Sequence, residues 1–149
     1  MRRAHSFTQH SQRGSVMVEF AIILPLLLFM LVGIVDFGLI IREHQILQNG
    51  AREGARLSIL PAYQIATSSN PAATQTAIKD QVVQYLQTEN ITIAAGNVTV
   101  NQNYLIDFGG VFATGSQITV SYSRPLLVGN GWPFGPAALK SEAIFRNLY

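Results

Sequence analysis

The chain has 149 residues, of which 48% are apolar and only 12% are charged, whereas a typical globular domain carries about 25% charged residues. It contains no cysteine, which excludes disulfides, thiolate metal sites and cysteine nucleophiles. The net charge of +2 comes from three arginines among residues 1–13: seven basic and eight acidic residues remain from Gly14 onward, so the charge gives no indication of nucleic-acid binding. A long apolar segment leaves room for only one small domain and argues against a large enzyme.

The apolar segment runs from Phe20 to Ile41 and contains a single charged residue, Asp36. As a helix, these 22 residues would extend about 33 Å, which is enough for a bilayer core of about 30 Å. Pro25 is compatible with a spanning helix and predicts a local kink. The segment therefore predicts one membrane span. The short basic N-terminal tail favours a cytoplasmic N-terminus, with most of the chain on the other side of the membrane.

The junction before the span reads Q-R-G-S-V-M-V-E-F and places Glu19 at the mouth of the apolar run. Glu19 has a simple interpretation as a headgroup-level acid at the positive end of a helix dipole. The spacing offers another interpretation. A cut after Gly14 would remove the leading arginines and free an amine on Ser15, about 6 Å along the helix from Glu19. That charged amine could pair with the Glu19 carboxylate of a neighbouring subunit and set the register between packed helices.

This junction resembles the leader junction of type IV pilins, with glycine at the cut and glutamate fifth in the mature chain. The resemblance continues in V-D-F-G at Val35–Gly38 and in L-Q-N-G-A-R-E-G-A-R at Leu47–Arg56, which are similar to the TadE-like pseudopilin family of tight-adherence (Flp) pilus assembly. Gly50 departs from the alanine usual in the family. The related TadG-like proteins are usually much longer, so the length favours the TadE-like family. The residues that match the family motif are Asp36, Gly38, Gln48, Asn49, Arg52 and Arg56.

The resemblance implies a minor pilin or pseudopilin that is processed by a prepilin peptidase between Gly14 and Ser15. Glu19 and Phe20 would serve recognition and assembly. The implied partners are the peptidase, the major Flp-type pilin and other pseudopilins, the inner-membrane platform proteins and the lipid bilayer. The implied location is a bacterial inner membrane, with the C-terminal domain in the periplasm, or outside the cell once in the pilus. The alternative is an uncleaved single-pass scaffold protein of a secretion apparatus.

Beyond the span, no proline occurs until Pro61, so we expect one helix over residues 15–60 after a leader of residues 1–14. Small residues recur on this helix at a spacing of three to four and form one narrow stripe that permits close backbone approach. We expect this stripe to pack against the protein's own domain, with a neighbouring subunit as the alternative. The stripe consists of Gly50, Ala51, Gly54 and Ala55.

The sequence predicts an α+β fold, in which the long N-terminal transmembrane and stalk helix precedes a small pilin-like domain with one helix on a three- to four-stranded antiparallel sheet. A linker over residues 61–71 leads to this domain, over residues 72–149, and its amphipathic helix covers residues 72–88. Alternating apolar residues predict strands over 97–101 and 117–123, and residues 91–93 are expected to start an earlier strand. Residues 138–147 fit both a strand and a short helix, and the family resemblance favours the strand.

The residue inventory favours a structural protein over an enzyme. No histidine pair has the spacing of metal ligands, and no nucleophile elbow or paired-carboxylate motif occurs, so neither a metal nor a cofactor is expected. The glycine-rich segment 129–136 is interpreted as a loop, or alternatively as an aromatic contact surface built on Trp132 and Phe134. A ligand-binding or hydrolytic outer domain is the remaining alternative.

Overall fold

The computed structural model describes residues 10–127 and 135–147. The chain forms a long N-terminal helix followed by a small domain with one further helix and a three-stranded antiparallel sheet. The predicted α+β class is thereby confirmed. We call the part that follows the long helix, residues 59–127 and 135–147, the head. The aromatic surface expected at Trp132 and Phe134 lies outside the described residues.

The long helix, α1, covers His10–Ser58 and has 49 residues, a length of about 73 Å. The helix continues through Pro25 and ends three residues before Pro61. This agrees with the absence of a further proline between Pro25 and Pro61. The hydroxyl of Ser58 donates to the carbonyl oxygen of Ala55 at 2.8 Å and so satisfies one acceptor of the last turn. A short 3₁₀ helix over Pro61–Tyr63 opens the connection to the head.

The second helix, α2, covers Pro71–Thr88. Its N-cap is Asn70, whose side-chain oxygen accepts a hydrogen bond from the amide of Ala73 at 3.1 Å, and the Asn-Pro pair is a favourable start for a helix. The helix ends at Thr88 with Glu89 as its C-cap, and the next residue, Asn90, has a φ of 62°. In this left-handed conformation the chain turns back, and the amide of Ile91 donates to the carbonyl of Leu86 at 2.9 Å.

The sheet consists of β1 (Val98–Asp107), β2 (Phe112–Arg124) and β3 (Ala137–Arg146), in the order β1-β2-β3. β2 is the central strand, and its register with β3 continues without interruption from Gly115 opposite Arg146 to Arg124 opposite Ala137. The C-terminal segment is therefore a strand. Ten consecutive pairings with β2 decide between the two periodicities that its sequence allows.

The strand expected at Ile91–Ile93 is absent, and residues 91–94 are irregular. Both isoleucines are nevertheless buried in the core. Their alternation reflects burial in the common core, and a short 3₁₀ helix at Ala95–Asn97 separates them from β1. The prediction was wrong because alternation reports which side chains are buried and not whether the backbone pairs with a neighbouring strand.

A bulge in β1 ties the sheet to the end of α1. The β1–β2 register shifts between Asn101 and Tyr104, and the side chain of Gln102 lies in this interval. Its Nε2 donates to the carbonyl of Ser58 at 2.7 Å and to that of Tyr63 at 2.8 Å, and its Oε1 accepts from the amide of Ile65 at 2.7 Å. One glutamine therefore satisfies backbone groups at the end of α1 and in the connection that follows.

One hydrophobic core joins the two helices to one face of the sheet. α1 lies over β2 and β3, and α2 lies over β1 and beside α1. The core therefore includes the C-terminal part of α1 together with residues of the head. The buried apolar residues are Ile46, Leu47, Ala51, Ala55, Ile78, Val82, Leu86, Ile91, Ile93, Val98, Val100, Ile118, Val120 and Ala143.

Candidate functional site

The first half of α1, Gly14–Val35, is almost entirely exposed, and we call it the anchor half. Every residue in it except the half-buried Val32 is exposed, although the segment consists mainly of large apolar side chains. Among the helices of the described residues, only α1 is long and apolar enough to cross a membrane, and none of its most apolar stretch is buried within the protein. A surface of this size and composition requires an apolar environment from outside the chain.

The residues expected to form the leader junction lie at the start of this anchor half. Gly14, Ser15, Glu19 and Phe20 are all exposed and lie within continuous helix. Apart from its chain neighbours and the adjacent helix backbone, no atom of the described residues lies within 4 Å of the position that a Cβ on Gly14 would take. Ser15 and Glu19 are one helical turn apart, and the Glu19 carboxylate faces outward at the edge of the apolar surface.

The second half of α1, Asp36–Ser58, packs against the head, and we call it the packed half. Its stripe of small residues faces α2 and β2: Ala51 and Ala55 are fully buried, and a Cβ at Gly50 would lie 3.1 Å from a methyl group of Leu86. A Cβ at Gly54 would overlap Cγ2 of Val82. The absence of a side chain at both glycines therefore allows α2 to approach α1 closely.

The other motif residues of the packed half differ in their surroundings. Arg52 and Arg56 are exposed, as is Asn49, while Gln48 is half-buried. Gly38 is exposed, and nothing lies within 4 Å of its Cβ position. The packed half thus presents its small residues to the head, while Arg52 and Arg56 of the motif face outward.

Asp36 is the motif residue with the most specific contacts. It is 6% exposed and accepts hydrogen bonds from the amide of Leu127, at 3.1 Å on Oδ1 and 3.0 Å on Oδ2. Nη2 of Arg124 lies 3.7 Å from Oδ1, and Nη1 donates to the Asp36 backbone carbonyl at 3.5 Å. The carboxylate therefore binds the segment that follows β2, 91 residues further along the chain.

Arg124 bridges two acids of α1. Its Nε lies 3.5 Å from Oε2 of Glu43, which is buried and accepts no hydrogen bond among the described residues. The side chains of Arg124 and Asp36 are each 8% exposed, and that of Glu43 is 17% exposed. Burial of Tyr122 and the negative charge of Glu43 raise the pKa of its phenol above 10.0, and Arg124 opposes this shift. We call Asp36, Glu43, Tyr122 and Arg124 the Asp36–Arg124 cluster.

Sequence reasoning missed this cluster, although one signal for it was present. In the alternating segment Q-I-T-V-S-Y-S-R, the inward positions are Ile118, Val120 and Tyr122, and the next inward position is Arg124. A cation that continues the buried face of a strand requires a buried acid. Asp36, within an apolar run, was the acid that lacked an expected partner.

A polar cleft of about 290 Å³ lies between the connection after α1 and β1. The hydrogen-bonding groups of the Gln102 side chain hold the connection in place. No ionisable side chain lines the cleft, and the described part of the chain holds no cluster of three histidines or acids that could bind a metal ion. The residues that line the cleft are Ser58, Gln64, Ile65, Ala66, Val100, Asn101, Gln102, Asn103 and Asn147.

An exposed apolar helix that continues into the core of a small α+β head is the arrangement of a protein anchored by a single N-terminal helix. The family model of TadE-like proteins matches residues 14–56, so the resemblance seen in the sequence is confirmed over this segment. The segment contains the anchor half and most of the packed half, including Asp36 and the small-residue stripe. No curated protein and no solved structure matches the chain. Proteins of the matched family are associated with tight-adherence pilus assembly and are generally structural rather than enzymatic.

Proposed function

We propose that this protein is a minor pilin or pseudopilin of a tight-adherence pilus, stored in the membrane as a precursor and made competent for assembly by removal of residues 1–14. The observation that carries the proposal is the family match over residues 14–56, which begins at the residue expected to precede the cut. The almost entirely exposed apolar anchor half supports it, because both lipid and a bundle of similar helices would cover such a surface.

In this proposal a prepilin peptidase on the cytoplasmic face cuts between Gly14 and Ser15. The head lies on the periplasmic side of a bacterial inner membrane and leaves the cell only if the subunit enters the pilus. The new α-amine of Ser15 is mostly protonated at neutral pH, since such amines have a pKa of about 7.7–8.0. It pairs with the Glu19 carboxylate of a neighbouring subunit, and Phe20 packs beside it, so that the pair sets the axial register of the helices.

Glu19 and Phe20 are exposed on α1, so both can make contacts between subunits in a bundle. A charged pair surrounded by lipid or by apolar helices is attractive only when both members are present, because a lone carboxylate there costs about 2.5–3.5 kcal/mol near mid-bilayer and less toward the interface. Assembly partners in the proposal are the major Flp-type pilin, other pseudopilins and the platform proteins of the inner membrane.

The substitution Glu19→Ala tests the proposed pairing in cells that assemble the pilus. We expect loss of assembly with unchanged membrane insertion, because the apolar surface remains while the partner of the amine is removed. The readouts are pilus yield and the amount of protein in the membrane fraction. Glu142→Ala is the matched control, since it removes an exposed carboxylate on the head. Normal piliation of the Glu19 variant would contradict the pairing.

The intact mass of the membrane-extracted protein tests the processing step separately. Loss of residues 1–14 supports the pilin proposal. A mass that corresponds to the full chain, in cells that express the pilus genes, would contradict processing and favour an uncleaved scaffold protein.

A further inference from the structure

The segment after β2 reaches an unexpected height along α1. The two hydrogen bonds from the amide of Leu127 to Asp36 place this segment, residues 125–127, beside residue 36 of the helix. We call residues 125–127 the turn. Asp36 lies five residues before Ile41, the end of the apolar run, and the helix neighbours Val35 and Phe37 are 47% and 65% exposed. The head therefore does not end where the apolar run ends, but extends about 7.5 Å along it.

The expected bilayer position places this turn at the outer boundary of the hydrocarbon. With Glu19 at the inner boundary, a core of about 30 Å accommodates about 20 residues and ends near Leu39. Residue 36 is then about 4.5 Å inside the boundary. A carboxylate at this depth is costly when it is alone, and the Leu127 amide and Arg124 supply its partners from the head.

The side chains of the turn fit this depth. Leu127 is 65% exposed and apolar, Pro125 is exposed and Leu126 is half-buried. The charged residue that precedes the turn in sequence, Arg124, is 7% exposed and directed toward Asp36 and Glu43. The turn therefore presents an apolar surface, without an exposed charge, next to the exposed apolar surface of the anchor half.

We propose that Pro125–Leu127 is a second membrane-contacting element, which rests in the outer leaflet beside α1 with the Leu127 side chain among the acyl chains. The proposal depends on the membrane anchoring of α1. It gives the Asp36–Arg124 cluster a role in fixing the depth and tilt of the head. The occupant is lipid because the exposed surface of the turn is continuous with the apolar surface of the anchor half.

The absence of cysteine makes a direct test possible, because single cysteines can be labelled without a background. An environment-sensitive fluorophore is attached at Leu127→Cys in the full chain, reconstituted in vesicles of phosphatidylcholine and phosphatidylglycerol with spin-labelled acyl chains. Leu28→Cys, in the anchor half, reports on the span itself. Leu105→Cys is the matched control: this leucine is 62% exposed and lies in the other half of the sheet, toward the β1–β2 turn.

We expect the spin-labelled lipids to quench the fluorophore at positions 28 and 127 several-fold more than at position 105. If lipid quenches the fluorophore at position 28 but quenches position 127 as weakly as position 105, the proposal is overturned while the membrane span is retained. An apolar emission spectrum at position 127 without quenching by lipid would also overturn it, in favour of a protein neighbour. Absence of quenching at position 28 would overturn the membrane anchoring on which the proposal rests.

Discussion

The two halves of α1 have the same secondary structure but opposite surroundings. In the anchor half, large apolar side chains face outward, and in the packed half small residues face inward against α2 and the sheet. Apolar content therefore does not show which half of the helix is buried in the protein. Residue size does show it, because small residues in the packed half allow the backbones of α1 and α2 to approach closely. The anchor half has no such requirement.

The transition between the halves occurs at a charged residue. From Gly14 onward, Asp36 is the first buried residue of α1, and the head contacts the helix there. The family match extends across this point, so its signature combines features of the exposed surface with features of the docking of the head. Substitutions in the two halves should therefore have separable effects on the folding of the head and on assembly.

The largest effect is expected from Arg124→Leu. This change leaves the buried Asp36 and Glu43 carboxylates without their cation, and we expect it to destabilise the head by about 3–5 kcal/mol without preventing membrane insertion. Hydrogen exchange of the β2 and β3 amides in the reconstituted full chain measures the loss. Lys140→Leu is the control, because the ion pair of Lys140 with Glu142 is exposed and worth at most about 1 kcal/mol. Equal effects of the two changes would contradict the role assigned to the buried cluster.

A matched pair of glycines compares the two halves directly. Gly54→Leu forces a side chain into Val82 and Ile118, and we expect a loss of about 1–3 kcal/mol in the stability of the head. Gly33→Leu adds the same side chain where nothing lies within 4 Å, so the stability of the head should not change. The same exchange experiment measures both variants. If the two variants destabilise the head equally, the division of α1 into two halves is wrong.

The smallest effect concerns pH. Burial and the Glu43 charge raise the pKa of Tyr122 in the folded protein above its ordinary value of 10.0. The unfolded chain therefore loses this proton first as pH rises, and the stability contributed by the neutral phenol is lost above about pH 10. Tyr122→Phe should reduce the alkaline decline in stability while leaving its slope between pH 7 and 9 unchanged. Parallel curves for the two proteins above pH 10 would contradict the assigned environment.

The sequence predicted the elements whose causes are local. The uninterrupted apolar run predicted α1, the amphipathic pattern over residues 72–88 predicted α2, and alternation over residues 97–101 and 117–123 located β1 and β2. β2 begins five residues earlier than predicted because its first part pairs with β1 beyond the bulge, where alternation is weak. The turn that joins them needs Gly109 and Gly110, both of which have positive φ.

Contacts distant in sequence were not predictable in the same way. Asp36 and Arg124 are 88 residues apart, and only the inward phase of Arg124 on β2 indicated a buried acid. The three hydrogen bonds of Gln102 depend on a bulge that no local pattern marks. The strand at residues 137–146 was ambiguous because its residues fit both periods, and pairing with β2 supplies the energy that decides.

The continuity of α1 has a mechanical consequence. One uninterrupted helix carries the exposed apolar surface at one end and part of the core at the other, without a break in the helix between them. A force along the helix axis therefore acts on the side-chain contacts between α1 and the sheet, because the helix itself is part of the core. The direction of the helix therefore also sets the direction in which the sheet faces.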